Sequence, residues 1–164
     1  MVLRFKPLLA VLLSIMFVAP GCLGDDNVGI PLDDFSYTAD DGNEYSRDEM
    51  KGSDYLIHFS ASWCSRCYKS MHNISDAIGD TDYLIMSVEK EGLSGLSTWH
   101  DTVDESNSTQ DIIAPFMDGS ELSEVLGVSA MPTIYLIDEN GNIINIHEGD
   151  LTDHDEILKF LNQA

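Results

Sequence analysis

Tyr55 to Ser60 (YLIHFS) is a short, mostly apolar run that leads directly into Ser62-Trp63-Cys64-Ser65-Arg66-Cys67 (SWCSRC). Six residues without polar alternation have the length and pattern of a strand covered on both faces. Beyond them, Cys67, Met71, Ile74 and Ile78 recur at helical spacing, and Gly79 supplies a stop. A buried strand feeding straight into a helix commits the chain to a sheet with helices packed on it. Tyr83 to Val88 (YLIMSV) reads as a second buried strand. Strands separated by a helix imply a parallel crossover.

Turn chemistry places the remaining elements. Asp41-Gly42, between Phe35-Ser36-Tyr37 and Glu44-Tyr45, marks a hairpin ahead of the first buried strand. Ser46 and Glu49 have capping-box spacing and open at most a short helix. Leu96, Trp99 and Val103 share a helical face, Glu105 to Gln110 reads as a loop, and Ile112-Ile113-Ala114 as a small strand. Leu122, Val125 and Leu126 predict a helix stopped by Gly127. Thr133 to Ile137 and Ile143 to His147 flank Asn140-Gly141, a second hairpin signal. Thr152 is the expected cap of a last helix carrying Ile157, Leu158 and Leu161, and Trp99, Phe116 and Met117 read as core. The expected fold class is therefore α/β: a central mixed sheet flanked by helices on both faces, with an N-terminal hairpin extension.

A chain of 164 residues with 43% apolar content buries one core, so one domain is expected. Its formal charge of −21 repels phosphate backbones and anionic headgroups, which argues against a nucleic-acid partner. Such a surface suits a salty medium, where counterions screen its self-repulsion.

Residues 1–21 read as a targeting segment. Arg4 and Lys6 form a positive start, Leu8 to Ala19 is a twelve-residue apolar run, and Pro20-Gly21 breaks it before Cys22. Twelve residues fall short of the ~20 that span a bilayer. Small residues before a cysteine resemble the lipobox of exported lipoproteins, although Ala19 stands where Leu is usual. That resemblance implies a lipid on Cys22 and anchoring to the outer face of the cytoplasmic membrane. A simple cleaved signal and an uncleaved N-terminal anchor are the alternatives. Residues 22–31 then form a polar tether and 32–164 the folded domain. Removing residues 1–21 takes two of the eight Lys+Arg and none of the 29 Asp+Glu, so the mature charge falls from −21 to −23. Outside the cytoplasm a cysteine pair can be oxidised and stay so.

The cysteines at the strand-to-helix junction are chemically unequal. Cys64 falls at the helix N-terminus, where unpaired N–H groups and the macrodipole favour an anion. Such a position can lower a thiol pKa from ~8.5 into a range of about 3.5–7.5. Arg66 adds a positive charge beside it, and Cys67 lies one turn further in on the apolar side. An exposed attacking thiol with a shielded partner is what thiol–disulfide exchange requires.

The strand–WCxxC–helix unit, followed by Ala130-Met131-Pro132-Thr133 ahead of a strand, resembles the thioredoxin superfamily. Tyr55 to Cys67 (YLIHFSASWCSRC) and Gly127 to Asn142 (GVSAMPTIYLIDENGN) resemble its TlpA/ResA-like membrane-anchored thiol–disulfide oxidoreductases, over roughly residues 33–163. The resemblance implies a thioredoxin-like fold, with Cys64 attacking and Cys67 resolving. It implies a cis Pro132 facing the pair, Met131 and Thr133 beside it contacting a bound peptide through backbone hydrogen bonds at Met131, and Trp63 shaping the rim. It further implies a monomer that exchanges disulfides with exported cysteine-containing proteins such as apocytochromes, with the reductase direction preferred and a membrane thiol carrier supplying electrons. No cofactor beyond the redox-active Cys64–Cys67 disulfide is implied.

This chain departs from the pattern at three places. His58 stands six residues before Cys64, where thioredoxins carry a buried acid that takes a proton from the resolving cysteine. An imidazole can do that near neutral pH, or it can simply pack within the strand. Ser65-Arg66 contains no proline, so the familiar dipeptides say nothing of its redox potential, and Tyr68 follows the pair where a basic residue is common.

Other uses of the pair stay open at this level. Two cysteines offer soft ligands, and a Cu(I) or Zn(II) carrier is one alternative. A structural zinc site needs four ligands, and His58, His72, His100, His147 and His154 show no ligand spacing, so no metal residue is assigned. A peroxiredoxin-like antioxidant is another, although the chain has no Thr-x-x-Cys pattern. A purely structural bridge closes too small a loop to constrain the unfolded chain much. Asn73-Ile74-Ser75 and Asn107-Ser108-Thr109 match the glycosylation acceptor pattern.

Overall fold

A computed structural model describes residues 29–107 and 109–162; the targeting segment, Cys22 and most of the expected tether lie outside them. In chain order the elements are β1 (Ile30–Pro31), β2 (Ser36–Thr38), β3 (Glu44–Ser46), β4 (Tyr55–Ser60), α1 (Ser65–Ala77), β5 (Asp82–Ser87), α2 (Leu93–Ser106), β6 (Phe116–Asp118), α3 (Ser120–Val125), β7 (Thr133–Ile137), β8 (Asn142–Glu148) and α4 (His154–Leu161). Six strands form one sheet in the order β1-β8-β7-β4-β5-β6. β4, β5 and β6 run parallel, whereas β7, β8 and β1 join antiparallel on the other side. The β7–β8 turn is closed at Gly141, whose φ of 80° only glycine adopts without strain.

Apolar side chains line both faces of the sheet. On one, Leu56, Ile85 and Ile134 pack with Cys67, Met71 and Ile74 of α1, Leu96, Trp99 and Val103 of α2, and Ile157 and Phe160 of α4. On the other, Tyr55, Ile57, Phe59 and Met86 meet Leu122 of α3 and the N-terminal residues Leu32, Phe35 and Ala39. All six residues of β4 are buried because both faces are covered, and successive side chains divide between the two layers. β2 and β3 form the separate expected hairpin. It meets the sheet edge through an Ala39–Met117 bridge and an Asp40 N–H that donates to the Phe116 carbonyl at 2.9 Å.

Several boundaries differ from the sequence reading. Ile30–Pro31, at the end of the expected tether, pairs with β8. The small strand is Phe116–Asp118 and not Ile112–Ala114, because the Ile112 N–H donates to the Asp104 carboxylate at 2.8 Å instead of to a neighbouring strand. Ile113 is consequently 96% exposed. The Glu49 N–H donates to the Ser46 hydroxyl at 3.3 Å, as in a capping box, but that hydroxyl donates to the Glu49 carboxylate at 3.0 Å, and the segment closes a turn and no helix. α2 runs on to Ser106 and takes two residues of the expected loop. α3 is too short to bury more than one side of itself, so Val125 is exposed. Asp153, not Thr152, caps α4, accepting from the N–H groups of Asp155 and Glu156.

Candidate active site

β4 delivers the chain to one end of the sheet, at its centre, where the Cys64 N–H donates to the Ala61 carbonyl at 3.0 Å and turns it into α1. Cys64 is the N-cap residue; no side chain caps this end and no acidic residue occupies the first turn. The positive end of the helix dipole therefore has no carboxylate of its own beside the sulfur. Cys64 and Cys67 are joined in a disulfide with a Cα–Cα distance of 5.4 Å. Cys64 is 5% exposed and Cys67 fully buried; both pack into the layer that α1 covers, so the thiol expected to be exposed is itself nearly buried, and the two differ by the small opening left at Cys64. Trp63 is 61% exposed beside them. The Tyr68 hydroxyl donates to the Ser62 carbonyl at 2.5 Å, which holds the loop onto α1.

The segment ahead of β7 meets this junction. The Met131–Pro132 peptide bond is cis. Met131 packs against the apolar layer that contains both cysteines. Arg66 Nη2 donates to the Met131 carbonyl at 2.7 Å, and Arg66 Nε lies 3.9 Å from an Asp150 oxygen. The Pro132 carbonyl accepts from Gly149 N–H at 2.8 Å, and buried Thr133 donates through its hydroxyl to the Ala130 carbonyl at 2.8 Å. The structure thus gathers Trp63, Cys64, Arg66, Cys67, Met131, Pro132 and Thr133 at the end of the sheet where β4 finishes and β7 begins.

His58 lies beneath, in the middle of β4, paired in register with Ile134 on one side and Ile85 on the other. It is fully buried, its Nδ1 is paired with the Tyr83 hydroxyl, and its Nε2 has no hydrogen-bond partner. Burial lowers its pKa to about 3, so the imidazole is neutral across ordinary pH, unlike the neutral-pH titration its residue type suggests. Burial likewise pushes the Tyr83 hydroxyl well up. Ser60, two residues on and also buried, has an unpartnered hydroxyl. By strand alternation His58 and Ser60 share the face of Leu56, which α1 covers. Sequence reasoning missed Ser60 and Tyr83. Counting forward by two from His58 flags Ser60, but an aromatic in a buried strand gives no sign of a polar partner.

The other histidines do other work. His72 Nε2 bonds the Val103 carbonyl at 2.9 Å and helps join α1 to α2. Among the described residues no group of three or more His, Cys, Asp or Glu side chains is placed to hold a metal ion. The Asn73 amide donates to the Lys69 carbonyl within α1, and Asn107 follows α2 directly, its sequon passing through Ser108 outside the described residues.

The model of the family described as Redoxin matches residues 27–161, nearly the whole described chain. The chain belongs to the redoxin family. This redoxin is 25% identical over 160 residues to the thiol-disulfide oxidoreductase ResA of Oceanobacillus iheyensis, covering 92% of this chain and 82% of that one. It is 27% identical over 123 residues to the thioredoxin-like protein YneN of Bacillus subtilis, covering 73% and 70%. Among solved structures it resembles an exposed lipoprotein thioredoxin of Streptococcus pneumoniae, with a TM-score of 0.62 at 27% identity, over 80% of this chain and all of that one.

Proposed function

We infer that this redoxin is a protein thiol–disulfide oxidoreductase. The observation that carries the reading is the unequal pair: Cys64 at a helix N-terminus and 5% exposed, bonded to a fully buried Cys67. In the reducing direction the Cys64 thiolate attacks one sulfur of a substrate disulfide and releases the other as a thiolate, which takes up a proton. Cys67 then loses its proton and attacks Cys64 Sγ. The Cys64–Cys67 bond forms, the mixed disulfide breaks, and two electrons have passed to the substrate. The proton of a buried Cys67 needs a polar route out. His58 Nε2 and Ser60 Oγ, unpartnered on the face that α1 covers, offer one.

The finer reading places the domain outside the cytoplasm. After removal of residues 1–21, a lipid on Cys22 and a tether over 22–31 hold the domain of 32–164, acting as a monomer, at the outer face of the membrane. Cysteine-containing exported proteins are the substrates, Trp63, Met131, Pro132 and Thr133 shape their binding, and a membrane thiol carrier returns electrons. The lipoprotein nature of the similar S. pneumoniae thioredoxin supports the anchor, and the ResA relative supports the chemistry.

Insulin disulfide reduction is the direct assay, and Cys64→Ser should abolish it; turnover surviving that change rules the reading out. Equilibration of the pair with glutathione fixes the direction. A potential near that of thioredoxin, about −270 mV, fits a reductase, and one near −120 mV reverses the preference.

A further inference from the structure

Arg66 stands between the two cysteines, and its side chain is 68% exposed. It nevertheless makes one well-formed contact, from Nη2 to the Met131 carbonyl at 2.7 Å, across 65 residues of sequence. The position of that carbonyl gives the contact its meaning. Within β7, Thr133 still pairs with Phe59 of β4, but β4 ends at Ser60 and the chain turns away into α1. Residues ahead of Thr133 have therefore lost their neighbour on that side. On the other side the Pro132 carbonyl is taken by Gly149, and proline has no N–H to offer. The Met131 carbonyl is thus a strand-end acceptor turned toward the redox helix. A strand that continues past its partner is where an extended segment of another chain adds on.

We propose that Arg66 is a gate on this acceptor. In the free protein its guanidinium caps the Met131 carbonyl; a polypeptide carrying the target disulfide displaces it and donates a backbone N–H to the same oxygen. The inference rests on the redox reading above and adds a specificity-determining residue to it. The residue type suits the task. One carbonyl engages one of five guanidinium N–H donors, so the remainder stay hydrated and release costs little. Asp150 Oδ1, 3.9 Å from Nε, gives the displaced side chain a second place to rest. A disulfide reagent without peptide groups has no N–H for the carbonyl and gains nothing by opening the gate. Arg66 therefore discriminates between polypeptide and small disulfides, apart from any effect of its charge on Cys64, which both substrates feel alike.

The test compares the full-length chain with its Arg66→Ala variant on insulin and on 2-hydroxyethyl disulfide, each by initial rates. An exposed hydrogen bond of this kind biases an equilibrium roughly two- to tenfold. The KM for insulin should fall by that factor, and the ratio of kcat/KM for insulin to that for 2-hydroxyethyl disulfide should rise by the same. A ratio that stays put or falls overturns the gate while leaving the redox reading intact. Activity that is independent of Cys64 on both substrates removes the redox reading, and the gate with it.

Discussion

Asp40 and His100, 60 residues apart in sequence, meet at 2.6 Å between a carboxylate oxygen and Nδ1. The other ring nitrogen, Nε2, faces the Ile112 carbonyl at 2.7 Å, with an Asp104 oxygen 3.8 Å away. Both nitrogens thus face acceptors, and only the doubly protonated imidazolium can donate to both. The second Asp40 oxygen accepts from Phe116 N–H at 2.8 Å, and the His100 ring stacks on Phe116 at 4.2 Å. One charged pair therefore ties the N-terminal hairpin to α2 and to the edge strand β6.

The pH dependence of stability follows from this pair. Burial opposes the charge on His100, but the Asp40 carboxylate, the Ile112 carbonyl and Asp104 outweigh it and raise the pKa. With a folded value above the unfolded ~6.5, its contribution is fully present below about pH 6.5 and is lost as pH rises through the folded value. Urea midpoints should decline from about pH 6.5 upward. His100→Gln should cost about 1.5–3 kcal/mol at pH 6 and flatten that decline. An unaltered slope in the variant would show that other groups set it.

A resolving cysteine removed from its partner leaves the first half of the reaction without an exit. Cys67 is fully buried and close enough to Cys64 to form the bond, so no substrate thiol can substitute for it in place. Cys67→Ser should accumulate a mixed disulfide between Cys64 and the substrate, visible as a covalent adduct by non-reducing electrophoresis and mass spectrometry. Cys64→Ser should form none. Equal adduct formation by the two variants would contradict the assignment of roles.

The parts legible in the sequence were those written in contiguous residues. β4 and α1 lie where the apolar run and the three-and-four spacing put them, and Gly79, at φ 58°, follows the end of α1. The hairpin turns lie at Asp41-Gly42 and Asn140-Gly141 for the same local reason. What stayed hidden depends on partners distant in sequence. Ile112–Ala114 has the composition of a strand, but the Asp104 carboxylate captures its first N–H. Arg66 reads as a charge beside the cysteines, while the carbonyl that receives it belongs to another part of the chain. His58 could be singled out by its distance from Cys64, whereas its neutrality follows from complete burial against Tyr83.

That neutrality has a kinetic consequence. An imidazole with a pKa of about 3 does not titrate where exchange is measured, so His58 should contribute no limb to the pH–rate profile near its ordinary value of ~6.5. The acidic limb of kcat/KM should coincide with the pH dependence of Cys64 alkylation by iodoacetamide, in the parent chain and in His58→Asn alike. A limb near pH 6.5 that disappears in His58→Asn without a change in the alkylation profile would show that the imidazole is charged in the working enzyme. Tyr83→Phe removes the sole partner of a buried nitrogen and should lower stability by about 1–3 kcal/mol.

The start of α4 offers a test in which two adjacent residues compete for one role. Thr152 and Asp153 are both good capping residues, and the apolar spacing of the helix does not decide between them. In the structure the Asp153 side chain accepts from the N–H groups of Asp155 and Glu156, both at 3.1 Å, and its own backbone is extended, as a capping residue's must be. The Asp153 carboxylate also meets the positive end of the helix dipole. α4 packs Ile157 and Phe160 into the layer that contains Cys67, so fraying at its start loosens the core behind the redox pair. Asp153→Ala should lower unfolding stability by about 1 kcal/mol, within a range of about 0.5–2. Thr152→Ala should cost a few tenths or less, because its hydroxyl satisfies no helix N–H. Urea denaturation of the two single variants and of the double variant separates them; a larger loss from Thr152→Ala would move the cap back by one residue.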